Sequence, residues 1–278
     1  MKRILTLLCG LLVAAGTAYG QKPFFFVQLT DTQLGFYNAD KDFIREEEQV
    51  RQLVGAINRL RPSFLVITGD LVNDKDDEGQ LAAFGELCRL IDPKIPLYLT
   101  PGNHDVGNEA SEREVQRYIG RYGYDRFSFR RNRCRVIGIN TTVIKAGTPE
   151  RERAEFRWLE QQLRQSMRDR HRIVVGHHPF FVGTPDEEDA YDNIPQRLRF
   201  RYLELLDRYD VELVLAGHLH RCAEGRYRNT VFSTAGAAGR PLGPDKPGMQ
   251  IVVVRPDGIE AAYYEIERIP EKIDLRRR

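Results

Sequence analysis

Five of the six histidines in this chain fall just beyond short apolar runs, beside glycines and other polar residues. That placement constrains the fold more than any other feature. The run 24–29 leads into Asp31-Thr32-Gln33, and 64–68 into Gly69-Asp70. The run 95–100 leads into Gly102-Asn103-His104-Asp105, and 173–175 into Gly176-His177-His178-Pro179. The run 211–216 leads into Gly217-His218-Leu219-His220. Apolar runs of this length are expected of strands buried on both faces. Ligands collect beyond the carboxyl ends of parallel strands. The five segments therefore predict a single rim where carboxylate, amide and imidazole groups meet. The glycines suit it, since they allow tight turns and close backbone approach. The sixth histidine, His171, precedes a strand among charged residues and reads as a surface group.

The rest of the chain alternates strand and helix. Helical spacing marks 43–60, stopped by Pro62, then 78–90, 154–168 and 197–209. Another helix starts at Ser111, with Glu114 three residues on completing a capping box. Strands with polar alternation are expected at 126–130 and 136–140. The tail differs: 230–234, 250–254 and 259–266 read as strands with no helix between them. A strand-helix half followed by a strand-only tail predicts two sheets packed face to face with helices outside.

The first twenty residues stand apart. Lys2 and Arg3 precede an apolar stretch, 4–15, and Ala18-Tyr19-Gly20 supplies small residues at a cleavage point. The pattern predicts a signal peptide, 1–20, cut between Gly20 and Gln21, rather than an uncleaved anchor. Export to a periplasm or the exterior follows, with 21–278 as a single domain. Cys9 follows Leu8, where a lipidation site needs a small residue. Losing Lys2 and Arg3 lowers the basic count from 42 to 40, equal to the 40 acidic residues. A formally neutral chain is not a polybasic nucleic-acid binder. No later segment has the roughly 18 apolar residues of a membrane span. The oligomeric state is not readable. Cys88, Cys134 and Cys222 are an odd number, so at least one is unpaired within the chain. Cys88 and Cys134 read as buried small hydrophobes, and Cys222 follows a histidine motif closely enough to touch the site.

The ordered motifs, from Asp31 to His220, resemble those of the calcineurin-like metallophosphoesterase superfamily. The segment 95–108 (IPLYLTPGNHDVGN), Gln33 in the first motif and the acidic run 186–192 look similar to one branch of it. That branch comprises calcineurin-like phosphoesterase domain-containing serine/threonine phosphatases. The resemblance implies an α/β fold, a four-layer α/β/β/α sandwich of two packed mixed β-sheets, with two divalent metal ions at its rim. By the same resemblance, Asp31, Gln33, Asp70 and His220 hold the first ion. Asp70 bridges to the second, held also by Asn103, His177 and His218. A bridging carboxylate offsets the repulsion between two dications. A water between the ions becomes the nucleophile. His104 protonates the leaving oxygen or, with Asn103, binds the phosphate. His178 reads as a wall of the pocket.

Two positions depart from the family pattern. Gln33 stands where most members have His. An amide oxygen is a harder, weaker donor, so the first ion is expected to be loose, favouring Mn²⁺ or Mg²⁺ over Fe or Zn, or to be lost. Asn73 stands where phosphoprotein phosphatases carry the Asp that orients the catalytic His. Arg221 and Arg240 lie near motif ends and could clamp a phosphate, unless they are solvated surface groups. The acidic run Asp186 to Asp192 reads as a solvated loop that would repel highly anionic substrates if it overhung the site. Tyr191 and Phe180 read as packing residues able to line the pocket. The expected function is metal-dependent phosphomonoester hydrolysis, on phosphoproteins or small esters. The alternatives are a phosphodiesterase on the same two-ion site and a degenerate binding module without turnover.

Overall fold

Alternate residues of the first strand, β1 (Phe24–Leu29), enter different cores. Phe25, Val27 and Leu29 pack among helices, whereas Phe24 and Phe26 pack against a second sheet. Side chains alternate between the faces of a strand, so a run with apolar residues on both faces needs a partner on each side. The computed structural model describes residues 22–276, so the expected leader, Cys9 and the cut at Gly20 lie outside the described residues.

Among the described residues, eleven strands follow in chain order. They are β1, β2 (Leu65–Thr68), β3 (Leu97–Thr100), β4 (Phe127–Arg131), β5 (Cys134–Gly138) and β6 (His171–Val175), then β7 (Leu213–Ala216), β8 (Ala223–Tyr227), β9 (Thr230–Thr234), β10 (Gly248–Arg255) and β11 (Gly258–Glu265). One sheet has the order β11-β10-β1-β2-β3, the other β4-β5-β6-β7-β9-β8. Both are mixed. Parallel pairing joins β1 to β2, β2 to β3 and β6 to β7, which points their carboxyl ends the same way within each sheet. The strand-only tail divides between the sheets. β9 pairs with β7, while β10 returns to lie antiparallel beside β1, with Val27 opposite Ile251.

The helices are α1 (Ile44–Leu60), α2 (Glu78–Arg89), α3 (Asn103–Val106), α4 (Glu112–Tyr122), α5 (Thr141–Ala146), α6 (Pro149–Gln165) and α7 (Gln196–Arg208). Val50, Leu53, Val54 and Ile57 of α1 recur at helical spacing and pack, with Leu81 and Phe84 of α2 and Val115 of α4, on the first sheet. Leu159 and Leu163 of α6 and Leu203 and Leu206 of α7 cover the second. The layers run helix, sheet, sheet, helix.

The inter-sheet layer is aromatic. Phe64 stacks on Phe26 with ring centroids 4.5 Å apart and meets Phe129 edge-on at 4.9 Å. Near the carboxyl end of β1, the buried Gln28 donates to Thr68 Oγ1 and to the Ala216 carbonyl, each at 2.9 Å. One amide thus ties β1 to β2 and to β7 of the other sheet, just below the rim.

Some local expectations change. His171 is buried, not on the surface: as the first residue of β6 it pairs with β5, and its Nδ1 lies 2.7 Å from Glu212. Helix α6 starts at Pro149, earlier than its apolar spacing suggests, because proline at a first turn sacrifices no hydrogen bond. Ser111 caps α4 by accepting from the Glu114 N–H at 3.3 Å. The Glu114 carboxylate turns instead to Arg113, Lys75 and Arg117, so only half of the box forms. Among the described residues all three cysteines are free, with Cys134 buried and Cys222 exposed. No helix among them is long and apolar enough to cross a membrane.

Candidate metal centre

The loops that carry the site are held in backbone conformations that side chains rarely adopt. Asp31 (φ 51°), Gln33 (34°), Asp70 (49°), His218 (71°) and His220 (53°) all lie in the left-handed region. Each such residue costs on the order of 1–3 kcal/mol and persists only where the surroundings over-determine it. Close packing is the constraint here. A Cβ on Gly102 would lie 2.1 Å from Asp70 Oδ1, and one on Gly217 would lie 1.8 Å from Thr30 Oγ1. Asp31 ties the loops together: its N–H donates to the Gly69 carbonyl of the neighbouring strand end in the same sheet at 3.1 Å, and its carboxylate accepts the His218 N–H from the other sheet at 3.0 Å.

His177 sits at the centre. Its Nδ1 donates to the Thr68 carbonyl at 2.9 Å, which leaves the Nε2 lone pair facing inward. His218 likewise donates Nε2–H to the Tyr191 carbonyl at 3.3 Å and turns its Nδ1 lone pair inward. Asn103 donates Nδ2–H to the Tyr191 hydroxyl at 3.1 Å and turns Oδ1 inward. His177 Nε2 is then 3.2 Å from each of His218 Nδ1, Asn103 Oδ1 and Asp70 Oδ2. Four acceptors converge with no donor assigned among them. Such a set repels itself unless a cation lies between.

A second group adjoins it. One oxygen each of Asp31 and Asp70 and one His177 nitrogen lie within 4.8 Å of one another. His220 donates Nδ1–H to the Arg240 carbonyl at 2.5 Å and brings Nε2 to 3.4 Å from Asp31 Oδ1. Gln33 donates Nε2–H to Asn73 Oδ1 at 3.0 Å, and its buried Oε1 has no hydrogen-bond partner among the described residues. A buried carbonyl oxygen without a hydrogen-bond partner is the kind of donor that a hard dication takes. The donor set fits metal.

Electrostatics agree with a site built for positive charge. Burial resists ionisation of Asp70, but His177 and then His104 and His218 hold its carboxyl well below the usual range. Burial pushes Asp31 upward, with His220 and His177 pulling the other way. Burial opposes protonation of His177, yet Asp70 lifts it to about 9, which marks a position that favours positive charge. Burial and neighbouring His177 push His218 down to about 3.

His104 stands beside this cluster, its backbone N–H donating to Asp70 Oδ1 at 2.9 Å. Its Nδ1 is 2.7 Å from the carbonyl of Asn73. The Asn73 backbone, not its side chain, therefore orients the ring. A groove of about 350 Å³ opens here, lined by Asn73, Lys75, Asn103, His104, Asn108 and Tyr191, among others.

Tyr191 does more than pack: its hydroxyl and carbonyl orient Asn103 and His218, and its ring lies 4.9 Å from that of His218. The acidic run around it is an ordered strap. Glu187 accepts the N–H groups of Val182, Gly183 and Thr184. Lys145 donates to the Ala190 and Asn193 carbonyls from below. A loop charge pattern in sequence carries no signal of such anchoring. Phe180 is in the core behind the site. His178 groups with His177 and His218, its ring nitrogens buried and without partners among the described residues. The Arg240 guanidinium donates to the Phe36 carbonyl at 3.0 Å, so this residue's carbonyl is what serves His220. Arg221 makes no hydrogen bond or ion pair among the described residues. Cys222 is exposed, and its backbone N–H donates to Asp245 at 2.6 Å.

Two packed mixed sheets with a carboxylate- and imidazole-lined rim define a two-metal phosphoester hydrolase. A family model described as calcineurin-like phosphoesterase matches residues 26–222. The chain belongs to that family. It is 33% identical over 269 residues to a protein of Danio rerio named serine/threonine-protein phosphatase CPPED1, covering 90% of this chain and 87% of that one. It is 26% identical over 233 residues to a probable cyclic nucleotide phosphodiesterase of Rhodococcus erythropolis, covering 78% and 71%. In fold it is similar to a dimetal phosphatase structure from Danio rerio, with a TM-score of 0.59 at 14% identity, covering 87% and 99%.

Proposed function

We propose that this chain is an exported, manganese-preferring phosphomonoesterase acting on phosphorylated serine or threonine side chains or small phosphate esters. The observation that carries this reading is the convergence of His177, His218, Asn103 and Asp70 as acceptors beside His104 and an open groove. In this reading Asp31, Gln33, Asp70 and His220 hold one ion, and Asp70, Asn103, His177 and His218 the other. When bound, the two ions supply Lewis acidity to the phosphoryl oxygens and lower the pKa of the attacking water. The Gln33 oxygen favours Mn²⁺ or Mg²⁺ over softer ions.

The protein's own groups do the rest. His104 hands its Nδ1–H to the Asn73 carbonyl, which leaves Nε2 to carry the proton that a departing alkoxide needs. Asn103, fixed by Tyr191, keeps its oxygen inward. Arg221, without a partner among the described residues, is available to a non-reacting phosphate oxygen. The Tyr191 strap covers the second cluster and limits water beside it. The serine/threonine phosphatase name of the Danio rerio relative supports a monoester substrate. The name of the Rhodococcus relative supports a diesterase as the second reading.

The experiment is p-nitrophenyl phosphate hydrolysis by residues 21–278, stripped by chelator and resupplied with Mn²⁺, with bis-p-nitrophenyl phosphate in parallel. Metal-restored turnover of the monoester above the diester supports the proposal. The reverse ratio selects the diesterase, and no turnover with Mn²⁺, Fe²⁺, Zn²⁺ or Mg²⁺ leaves a binding module. Export is tested by N-terminal sequencing of secreted protein, expected to begin at Gln21.

A further inference from the structure

We propose that Asp40 is a positioning residue for Gln33, acting through the side chain of Asn73. The proposal rests on reading Gln33 as a donor to the first ion. Gln33 Nε2 donates to Asn73 Oδ1 at 3.0 Å, and Asn73 Nδ2 donates to Asp40 Oδ1 at 2.8 Å. The other end of the chain is the buried, unpartnered Gln33 Oε1. A carboxylate, two amides and one carbonyl oxygen without a partner among the described residues thus form a directional relay that ends on the proposed donor atom.

Direction matters because an amide can present either face. A Gln33 turned the other way would put its NH₂ against a cation. Ionised carboxylate oxygens only accept, so Asp40 fixes the orientation of Asn73, and Asn73 then fixes that of Gln33. Charge at the far end also polarises both amides in series, which increases the negative charge on Gln33 Oε1. That offsets part of what is lost when an amide occupies an imidazole position. An aspartate at position 73 would instead set a second carboxylate against Asp40.

The surroundings hold Asp40 in place. Gln80 Nε2 donates to the same Asp40 oxygen at 2.8 Å, while Gln80 Oε1 accepts the N–H groups of Asn73 and Asp74 at 3.0 and 2.8 Å. The Asp40 N–H donates to the Gly35 carbonyl at 2.9 Å. Gly35 has φ 107°, and a Cβ there would lie 2.5 Å from Gln80 Nε2 and 2.9 Å from Asp40 Oδ1. Asp40 is itself exposed, while the Gln80 amide that donates to it is buried.

The test is calorimetric titration of the metal-stripped protein with Mn²⁺. Gln33→Ala is expected to weaken one binding step. Asp40→Ala and Asn73→Ala are expected to weaken the same step by about tenfold, and Asp40→Asn, which keeps an accepting oxygen but drops the charge, by less. In a Gln33→Ala background, Asp40→Ala is expected to add nothing, which a general loosening of the loop would not produce. Unchanged Mn²⁺ binding in both Asp40→Ala and Asn73→Ala, or full additivity with Gln33→Ala, overturns the relay while leaving Gln33 a ligand. A Gln33→Ala protein that titrates as wild type overturns the ligand reading, and the relay with it.

Discussion

Gln33 and Asn73, the two positions read in the sequence as departures from the expected motif residues, are hydrogen-bonded to each other at 3.0 Å. The departures are therefore one structural unit rather than two separate losses. Gln33→His breaks that unit and installs a nitrogen donor. It is expected to raise the preference for Zn²⁺ over Mn²⁺ by about tenfold, since imidazole suits zinc and amide oxygen suits manganese. Competition between the two ions for stripped protein measures it, and an unchanged ratio would show that position 33 does not touch metal.

Asp70 is expected to be the least replaceable side chain. One oxygen accepts the His104 N–H and the other faces His177. Asp70→Asn keeps the shape but removes the charge between the two clusters. Turnover of p-nitrophenyl phosphate should drop on the order of 10²–10³-fold, with the far-UV circular dichroism unchanged. Wild-type turnover in this variant would take Asp70 out of the shared position.

Tyr191→Phe removes the hydroxyl that orients Asn103 and keeps the ring over His218. One lost hydrogen bond is worth about 1 kcal/mol, or roughly fivefold. We expect kcat/KM to fall by about that factor and Mn²⁺ to bind less tightly. Steady-state kinetics with a parallel metal titration reads both, and a change in neither would reduce Tyr191 to a bystander.

Stability should carry a pH signature remote from the site. Burial, opposed by Arg126 and reinforced by Asp125, raises Glu155 from its ordinary 4.5 to about 7. Its carboxyl is thus protonated in the folded chain at pH values where the unfolded chain has lost that proton. The unfolded state binds fewer protons between about 4.5 and 7, so Glu155 lowers stability as pH rises through that window and contributes no further slope above it. The total is on the order of 3 kcal/mol. Urea midpoints at pH 5, 6 and 7 should fall less steeply for Glu155→Gln than for wild type, and parallel slopes would refute the assignment.

The rim was legible in the sequence because both of its requirements leave marks there. Strands buried on two faces need unbroken apolar runs, and close loop approach needs glycine. Those marks placed Asp31, Gln33, Asp70, Asn103, His104, His177, His218 and His220 at strand ends, where the structure has them. What was not legible depends on contacts between distant segments. Nothing near Asp40 signals that it meets Asn73, and nothing in an acidic run signals that Tyr191 turns inward. Helix α3 is four residues long, too short for any period. Helix α5 is rich in Thr, Val and Ile, which favour strands, and is helical because Asn140 caps it by accepting from Val143 N–H at 3.2 Å. Strand β8 is a half-exposed edge with one glycine, and its sequence alone resembles a loop.

The left-handed residues of the rim have a consequence for how such proteins diversify. Their conformation is imposed by glycine contacts and by the ends of two sheets, not by the chemistry of the donor atom they carry. A donor can therefore be exchanged while the loop stays as it is. Histidine and glutamine codons differ by a single nucleotide, so with Gln33 as the proposed donor, one mutational step would retune that ion's affinity and identity. The frame is the inherited part, and the choice of metal is a local edit upon it.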